Sequence, residues 1–236
     1  MLPCVVLAGG MGTRMRPATE SIPKVLIPVA GRPFAELQLE WLAAQGVERV
    51  VYSVGYRSAM VRDALGDGRR FGLELVYVDE ADDLRGTGGA LRLAADIGVL
   101  PEAYFLLYGD SYLSVDLAAV EQAWRASALP ALMTVLRNDG RWDRSNASLE
   151  SGRVLYDKHN AEMHGARVQW IDYGLSVLTA DAVRAWLPPG GRGDVADLFH
   201  DLSTARRLAG YEVDERFYEI GSPQGLRDLE SHLRKA

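Results

Sequence analysis

Cysteine is nearly missing. Cys4 is the single one in 236 residues, and it lies inside an apolar run. One thiol excludes a disulfide within the chain and any cysteine-based metal centre. A free thiol in such surroundings is expected to pack as a small hydrophobe. Long apolar runs are missing as well: no stretch approaches the ~18 residues of a membrane span. Met1 to Val6 leads straight into a strand pattern, without the basic region or cleavage signature of a secretory leader. An excess of positive charge is lacking too, the formal net charge being -6. That argues against nucleic acid as the main partner, because phosphate backbones select basic faces. It leaves room for a small anionic substrate held by a local cluster of Arg, Lys and backbone N–H groups. The four histidines, His159, His164, His200 and His232, show no ligand spacing and read as structural or exposed. No Gly-x-Ser-x-Gly nucleophile elbow is present. The expectation is a cytoplasmic protein with neither a membrane nor a nucleic-acid partner.

What is there is an ordinary globular composition, 48% hydrophobic and 25% charged, long enough to bury a useful core. Pro3 to Ala8 is a short apolar run closed by Gly9-Gly10, the pattern of a buried parallel strand. The spacing predicts a helix over Phe34 to Gln45, with Phe34, Leu37, Trp41 and Ala44 on one face. Strands follow at Val47 to Val54 and Leu73 to Val78, with a helix at Arg57 to Leu65 between them. Gly86 opens a helix to about Asp96, and Tyr104 to Tyr108 is a strand ending at Gly109-Asp110. This alternation is the signature of an α/β protein with a doubly wound, Rossmann-like, mostly parallel sheet and helices on both faces. Ligands in such sheets bind outside the carboxyl ends of the strands. The loop after the first strand and Asp110 after the fourth should therefore meet.

The second half is less regular. Strands are expected at Ala131 to Leu136, Ala147 to Glu150, Arg153 to Tyr156 and Trp170 to Leu178. Helices are expected at Asp181 to Trp186 and Val195 to Ala209, then a strand around Arg216 to Ile220. Ser222 and Pro223 suit the cap and first position of a last helix to about Leu233. No repeat, low-complexity segment or composition break marks a linker, so residues 1–236 read as one domain.

The chemistry concentrates in Leu7-Ala8-Gly9-Gly10-Met11-Gly12-Thr13-Arg14-Met15-Arg16-Pro17, followed by Pro23-Lys24. Three glycines in four positions let backbone N–H groups wrap an anion. Arg14, Arg16 and Lys24 add fixed positive charge, and together they suit a polyphosphate. A dinucleotide fingerprint fits poorly, because Met15 stands where its third small residue belongs. Phe34-Ala35-Glu36, at a helix start, stands where its strand-closing acid would be. The Walker A pattern is absent.

The loop with its downstream Pro-Lys resembles the signature of the sugar-1-phosphate nucleotidyltransferases. Val29-Ala30-Gly31-Arg32-Pro33, Gly86-Thr87-Gly88-Gly89-Ala90 and Tyr108-Gly109-Asp110 follow in that family's order. The resemblance covers essentially the whole chain and is densest from Leu2 to Asp110. It implies a nucleotide-binding half at 1–112 and a sugar-phosphate-binding half at 113–236, with a smaller β-rich, sugar-binding part in that second half. By it, Leu7, Ala8, Gly9, Gly10, Gly12, Thr13 and Arg14 hold the nucleotide, and Lys24 sits at the α-phosphate. Gly86 and Thr87 lie beside the base and ribose. Asp110 binds catalytic magnesium, and Glu219 in Tyr218-Glu219-Ile220-Gly221 stands where the family has its second metal-binding Asp; a solvated strand-end carboxylate is the alternative. Asp157-Lys158 is similar to the family's Glu-Lys pair at the sugar phosphate. Gly109, Asn146, Tyr173 and Gly174 complete the sugar-phosphate residues, with Trp142 a further candidate facing the sugar.

The implied reaction is attack by a sugar 1-phosphate oxygen on the α-phosphorus of a nucleoside triphosphate, with pyrophosphate leaving. Such a phosphate has a second pKa near ~6 and is already largely ionised, so no general base is needed. Catalysis then rests on positioning and charge neutralisation by Arg14, Lys24 and Asp110 with its metal. Val54-Gly55-Tyr56 and the Gly-Thr-Gly-Gly stretch look like the mannose and heptose guanylyltransferase branch. That branch implies GTP with mannose or D-glycero-D-manno-heptose 1-phosphate. N-acetylmuramate or glucose 1-phosphate, a cyclitol phosphate or phosphocholine with another triphosphate stay open, as does an inactive nucleotide-binding regulatory module. The family carries the expectation of a homodimer.

Overall fold

The computed structural model describes residues 1–81, 83–138, 140–142, 144–158 and 168–234. His159 and His164 lie outside them. The first elements are β1 (Cys4–Leu7), β2 (Pro28–Val29), β3 (Arg32–Pro33), α1 (Phe34–Ala44), β4 (Arg49–Val54), α2 (Ser58–Leu65) and β5 (Glu74–Asp79). Then come α3 (Gly86–Asp96), β6 (Ala103–Tyr108), β7 (Ser111–Tyr112), α4 (Leu117–Ser127), β8 (Ala131–Arg137), β9 (Ala147–Glu150) and β10 (Arg153–Tyr156). The last are β11 (Trp170–Thr179), α5 (Ala180–Trp186), α6 (Val195–Thr204), β12 (Leu208–Val213), β13 (Tyr218–Glu219) and α7 (Pro223–Leu233). This is a mixed α/β fold. Among the described residues no helix is long and apolar enough to cross a membrane.

Two compact units divide the chain. Unit 1 takes Met1–Leu84, Leu107–Ser114 and the segment from Phe217 onward. Unit 2 takes Arg85–Leu106 and Val115–Arg216. In unit 1, β5, β4 and β1 run parallel in that order, with Cys4 beside Val50 and Val50 beside Leu75. Strands covered on both faces must be apolar throughout, and Cys4, Val5, Val6, Val50 and Val51 are all essentially inaccessible. Cys4 packs as a small hydrophobe, and burial pushes its thiol pKa well up. Val29, Phe34, Ile220 and Leu229 form a second core that seats α7. Ser222 caps that helix by accepting from the Gly225 N–H at 3.0 Å, with Pro223 in its first turn.

The buried face of α1 differs from the expected one. Phe34, Ala35, Gln38, Leu39 and Leu42 are buried, while Leu37 and Trp41 are half-buried and Ala44 is exposed. The stripe is rotated because a polar residue, Gln38, belongs to it. Its amide nitrogen donates to backbone carbonyls far along the chain, which a periodicity of apolar residues does not register.

In unit 2 the order is β11-β8-β12-β10-β9, with β8 and β12 parallel and the other neighbours antiparallel. The central strand β8 is buried from Ala131 to Leu136. Two expectations are corrected here. The helix from Val195 ends at Thr204 rather than Ala209, and Leu208–Val213 is a strand beside β8. A helix not read from the sequence, α4, spans Leu117–Ser127, and Asp116 caps it by accepting from Ala118 N–H at 2.8 Å.

Candidate active site

The glycine loop leaves β1 at Leu7 and turns through Gly12, whose φ of 61° lies in the left-handed region. A Cβ there would meet Thr19 Cγ2 at 3.0 Å and Lys24 Cβ at 3.1 Å, so the position demands glycine on conformation and on space. The loop is pinned from behind. Thr19 Oγ1 donates to Gly12 O at 2.9 Å, and Tyr56 N–H donates to Gly9 O at 3.3 Å. Among the described residues, the N–H groups of Gly9, Gly10, Met11 and Gly12 donate to no partner. Four consecutive undonated N–H groups are available to an anion. Thr13 and Arg14 follow, both exposed.

Asp110 sits in the turn between β6 and β7. Gly109 holds that turn against the end of β1: its N–H donates to Leu7 O at 2.9 Å, and a Cβ would stand 2.7 Å from the same oxygen. The Lys24 ammonium lies 2.6 Å from Asp110 Oδ2, with both side chains about one-fifth exposed. On the other side β13 pairs antiparallel with β7, placing Glu219 opposite Ser111, and Ile220 N–H donates to Asp110 O at 3.0 Å. The space in front of Gly221 locates the cluster. A Cβ built there would stand 2.6 Å from Glu219 Oε2, 3.1 Å from Asp110 Oδ2 and 3.3 Å from Arg14 Nη2. Arg14, Lys24, Asp110 and Glu219, far apart in sequence, are thus brought together within unit 1. Glu219 also accepts from Gly221 N–H and, at 2.6 Å, from the Ser222 hydroxyl.

Asp110 and Glu219 could hold a divalent metal. Two carboxylates facing one gap beside a phosphate-binding loop fit a hard cation that keeps waters and takes ligand phosphate oxygens. Among the described residues no set of three or more metal-binding side chains exists. The chain by itself therefore supplies a partial shell.

The residues expected in unit 2 are held differently. Thr87 Oγ1 donates to Asp194 Oδ1 at 2.8 Å and accepts from Val195 N–H at 2.8 Å. Lys158 Nζ reaches Asp194 Oδ2 at 2.5 Å. Asp194 also caps α6 through Ala196 N–H at 3.0 Å. Burial alone would raise the Asp194 pKa, but hydrogen bonds from Lys158, the Ala196 N–H and Thr87 outweigh it and hold the carboxyl below its usual range. Asn146 Oδ1 accepts from Asp172 N–H at 2.9 Å, and Asp172 accepts from Gly174 N–H at 3.0 Å. Tyr173 is almost wholly buried, Asp157 is half-buried, and Trp142 and Gly86 are exposed. His200 Nδ1 contacts Tyr156 O at 2.9 Å, and His232 stacks on Tyr218, so both serve packing.

Two functional candidates escaped the sequence reading. Asp194 carried a signal, an Asp immediately before the amphipathic stretch Val195 to Leu202, which is a helix-start pattern. Gln38 carried only the oddity of a polar residue between Leu37 and Leu39.

A loop that offers free N–H groups, two cations and two carboxylates on a parallel α/β sheet defines a nucleotide-handling class of protein. The family model described as nucleotidyl transferase matches residues 4–142, and the chain belongs to that family. Over 134 residues it is 37% identical to a mannose-1-phosphate guanylyltransferase of Mycobacterium tuberculosis, covering 56% of this chain and 36% of that protein. Over 117 residues it is 33% identical to a D-glycero-alpha-D-manno-heptose 1-phosphate guanylyltransferase of Campylobacter jejuni, covering 50% of this chain and 51% of that one. The matches thus span about half or less of these relatives' own length. A solved Bacillus anthracis structure, described as a glucose-1-phosphate thymidylyltransferase, shares the fold. Its TM-score is 0.84 at 19% identity, over all of this chain and 96% of that one.

Proposed function

We propose that the chain transfers a nucleoside monophosphate from a nucleoside triphosphate to a sugar 1-phosphate, releasing pyrophosphate. The observation that carries this reading is the cluster in unit 1: four undonated N–H groups at Gly9 to Gly12, followed by Arg14, Lys24, Asp110 and Glu219 around one gap. The loop N–H groups, with Leu7, Ala8 and Thr13 shaping the strand exit, hold the triphosphate. Arg14 and Lys24 stabilise the charge that builds on the α-phosphate and on the departing pyrophosphate. Magnesium, held by Asp110 and Glu219, supplies charge neutralisation between two polyanions when bound. Gly86 and Thr87 take the base and ribose. Lys158 takes the acceptor phosphate and Asp157 a sugar hydroxyl, with Gly109, Asn146, Tyr173 and Gly174 shaping the acceptor side. The acceptor oxygen forms a bond to the α-phosphorus as the bond to the bridging oxygen breaks. No residue need remove a proton, because the acceptor phosphate is already ionised above its second pKa of ~6.

The finer reading is GTP with mannose or D-glycero-D-manno-heptose 1-phosphate, supported by the guanylyltransferase relatives. The test is a pyrophosphate-release screen with magnesium, crossing the ribonucleoside triphosphates and dTTP against a panel of sugar 1-phosphates. Release in one pairing, abolished by Asp110→Ala, is the expected result. Silence with triphosphate binding retained points to a cyclitol phosphate or phosphocholine as acceptor. Silence without triphosphate binding overturns the reading.

A further inference from the structure

Gln38 sits on the buried face of α1 with 1% of its surface exposed. Its Nε2 donates to Tyr108 O at 3.0 Å and to Ser111 O at 3.0 Å. Those carbonyls are the first and last of the four-residue turn Tyr108-Gly109-Asp110-Ser111. Both partners are acceptors, so the amide orientation is settled by chemistry: the NH₂ must face them. A single nitrogen thus spends its two hydrogens on tying the mouth of the turn whose third residue is Asp110.

The other side of the amide shows what this arrangement costs. Gln38 Oε1 is buried and finds no hydrogen-bond partner among the described residues. A buried unsatisfied carbonyl is unfavourable, and an apolar side chain of the same length would avoid it. Packing alone therefore does not account for glutamine here. What glutamine alone supplies is a neutral two-hydrogen donor at this reach: asparagine is a methylene shorter, lysine brings a charge, and methionine donates nothing.

Two further bonds complete the brace. The Gly109 N–H to Leu7 O bond ties the turn to β1, and the Ile220 N–H to Asp110 O bond ties it to the segment bearing Glu219. With Gln38 closing the rear, the turn that carries Asp110 is held by four hydrogen bonds.

We infer that Gln38 is a positioning residue that sets the Asp110 carboxylate for metal and triphosphate, an inference that rests on the role proposed above for Asp110. Preorganised charge loses much of its effect when it is displaced by about 1 Å.

The experiment compares wild type, Gln38→Met, Asp110→Ala and the double variant. Mn²⁺ affinity is measured by water-proton relaxation in the presence of GTP, and turnover by pyrophosphate release. Gln38→Met should weaken Mn²⁺ binding about tenfold and lower kcat by a similar factor. In the Asp110→Ala background it should add nothing to either. Gln38→Asn, which keeps the amide but shifts it, should show a smaller loss of the same kind and serves if the methionine variant does not fold. Leu39→Ala, on the same buried stripe without polar contacts, should lower Tm while leaving Mn²⁺ affinity unchanged. If both Gln38 variants bind Mn²⁺ within twofold of wild type while Asp110→Ala does not, the positioning role is overturned and the Asp110 reading stands. If Asp110→Ala itself leaves Mn²⁺ affinity unchanged, both are overturned.

Discussion

The loop N–H groups of unit 1 and the polar side chains of unit 2 are in different states of readiness. In unit 1 the loop N–H groups of Gly9 to Gly12 are undonated, and Arg14 reaches toward the gap before Gly221. In unit 2 the groups expected to meet the ligands are committed within the protein: Lys158, on the acceptor side, and Thr87, on the nucleotide side, to Asp194, and Asn146 to Asp172 N–H. A ligand of the glycine loop finds its N–H donors waiting, although Lys24 is already paired with Asp110. A ligand that uses Lys158 must compete with Asp194. Preorganisation favours tight, low-reorganisation binding in the first case and a penalty for exchange in the second.

The largest expected effect tests the first half of this contrast. Lys24→Ala removes one preorganised charge and should cut turnover by on the order of 10²–10³, with Tm little changed. Wild-type pyrophosphate release in that variant would refute the assignment of unit 1. Lys158→Ala should act on binding instead, raising KM for the sugar 1-phosphate by about tenfold, the value of one charge-assisted contact, and leaving the triphosphate KM unchanged. A change in the triphosphate KM alone would dissolve the division of labour. The smallest effect concerns Asp194. Its depressed pKa means that its stabilising contribution is present above the unfolded value of ~3.9 and is lost as pH falls through the lower folded value. Asp194→Asn keeps a competent cap on α6. Its stability deficit in denaturant titrations should therefore be steady at neutral pH and close as the solution is acidified below about pH 4.

Much of unit 1 was legible because its signals are local. A buried strand, a glycine loop and a Ser-Pro helix start each announce themselves within a few residues, and α7 has the expected bounds of Pro223 and Leu233. Local charge beside the glycine loop named Arg14 and Lys24, strand order pointed to Asp110 and the family resemblance to Glu219, and the fold gathers all four. Unit 2 was harder where pairing is distant. Leu208-Ala209-Gly210 has weak strand propensity and becomes β12 through parallel pairing with β8, more than seventy residues earlier. Gln38 was invisible for a related reason, since its two acceptors lie 70 and 73 residues away. The misjudged face of α1 and the overlooked brace on Asp110 are one error, made where a long-range polar contact overrode apolar periodicity.

The pairing of β13 with β7 has a consequence for the order of synthesis. Unit 1 is built from three separated stretches, and the last of them, which bears Glu219, is translated after every residue of unit 2. Domains generally fold as units while the chain emerges at ~5–20 residues per second. A ribosome-bound chain that has reached Arg216 has all of unit 2, together with the glycine loop, Lys24 and Asp110, but neither the strand opposite β7 nor the helix that seats on Phe34. The nascent protein therefore lacks its second carboxylate until every residue of unit 2 has been made.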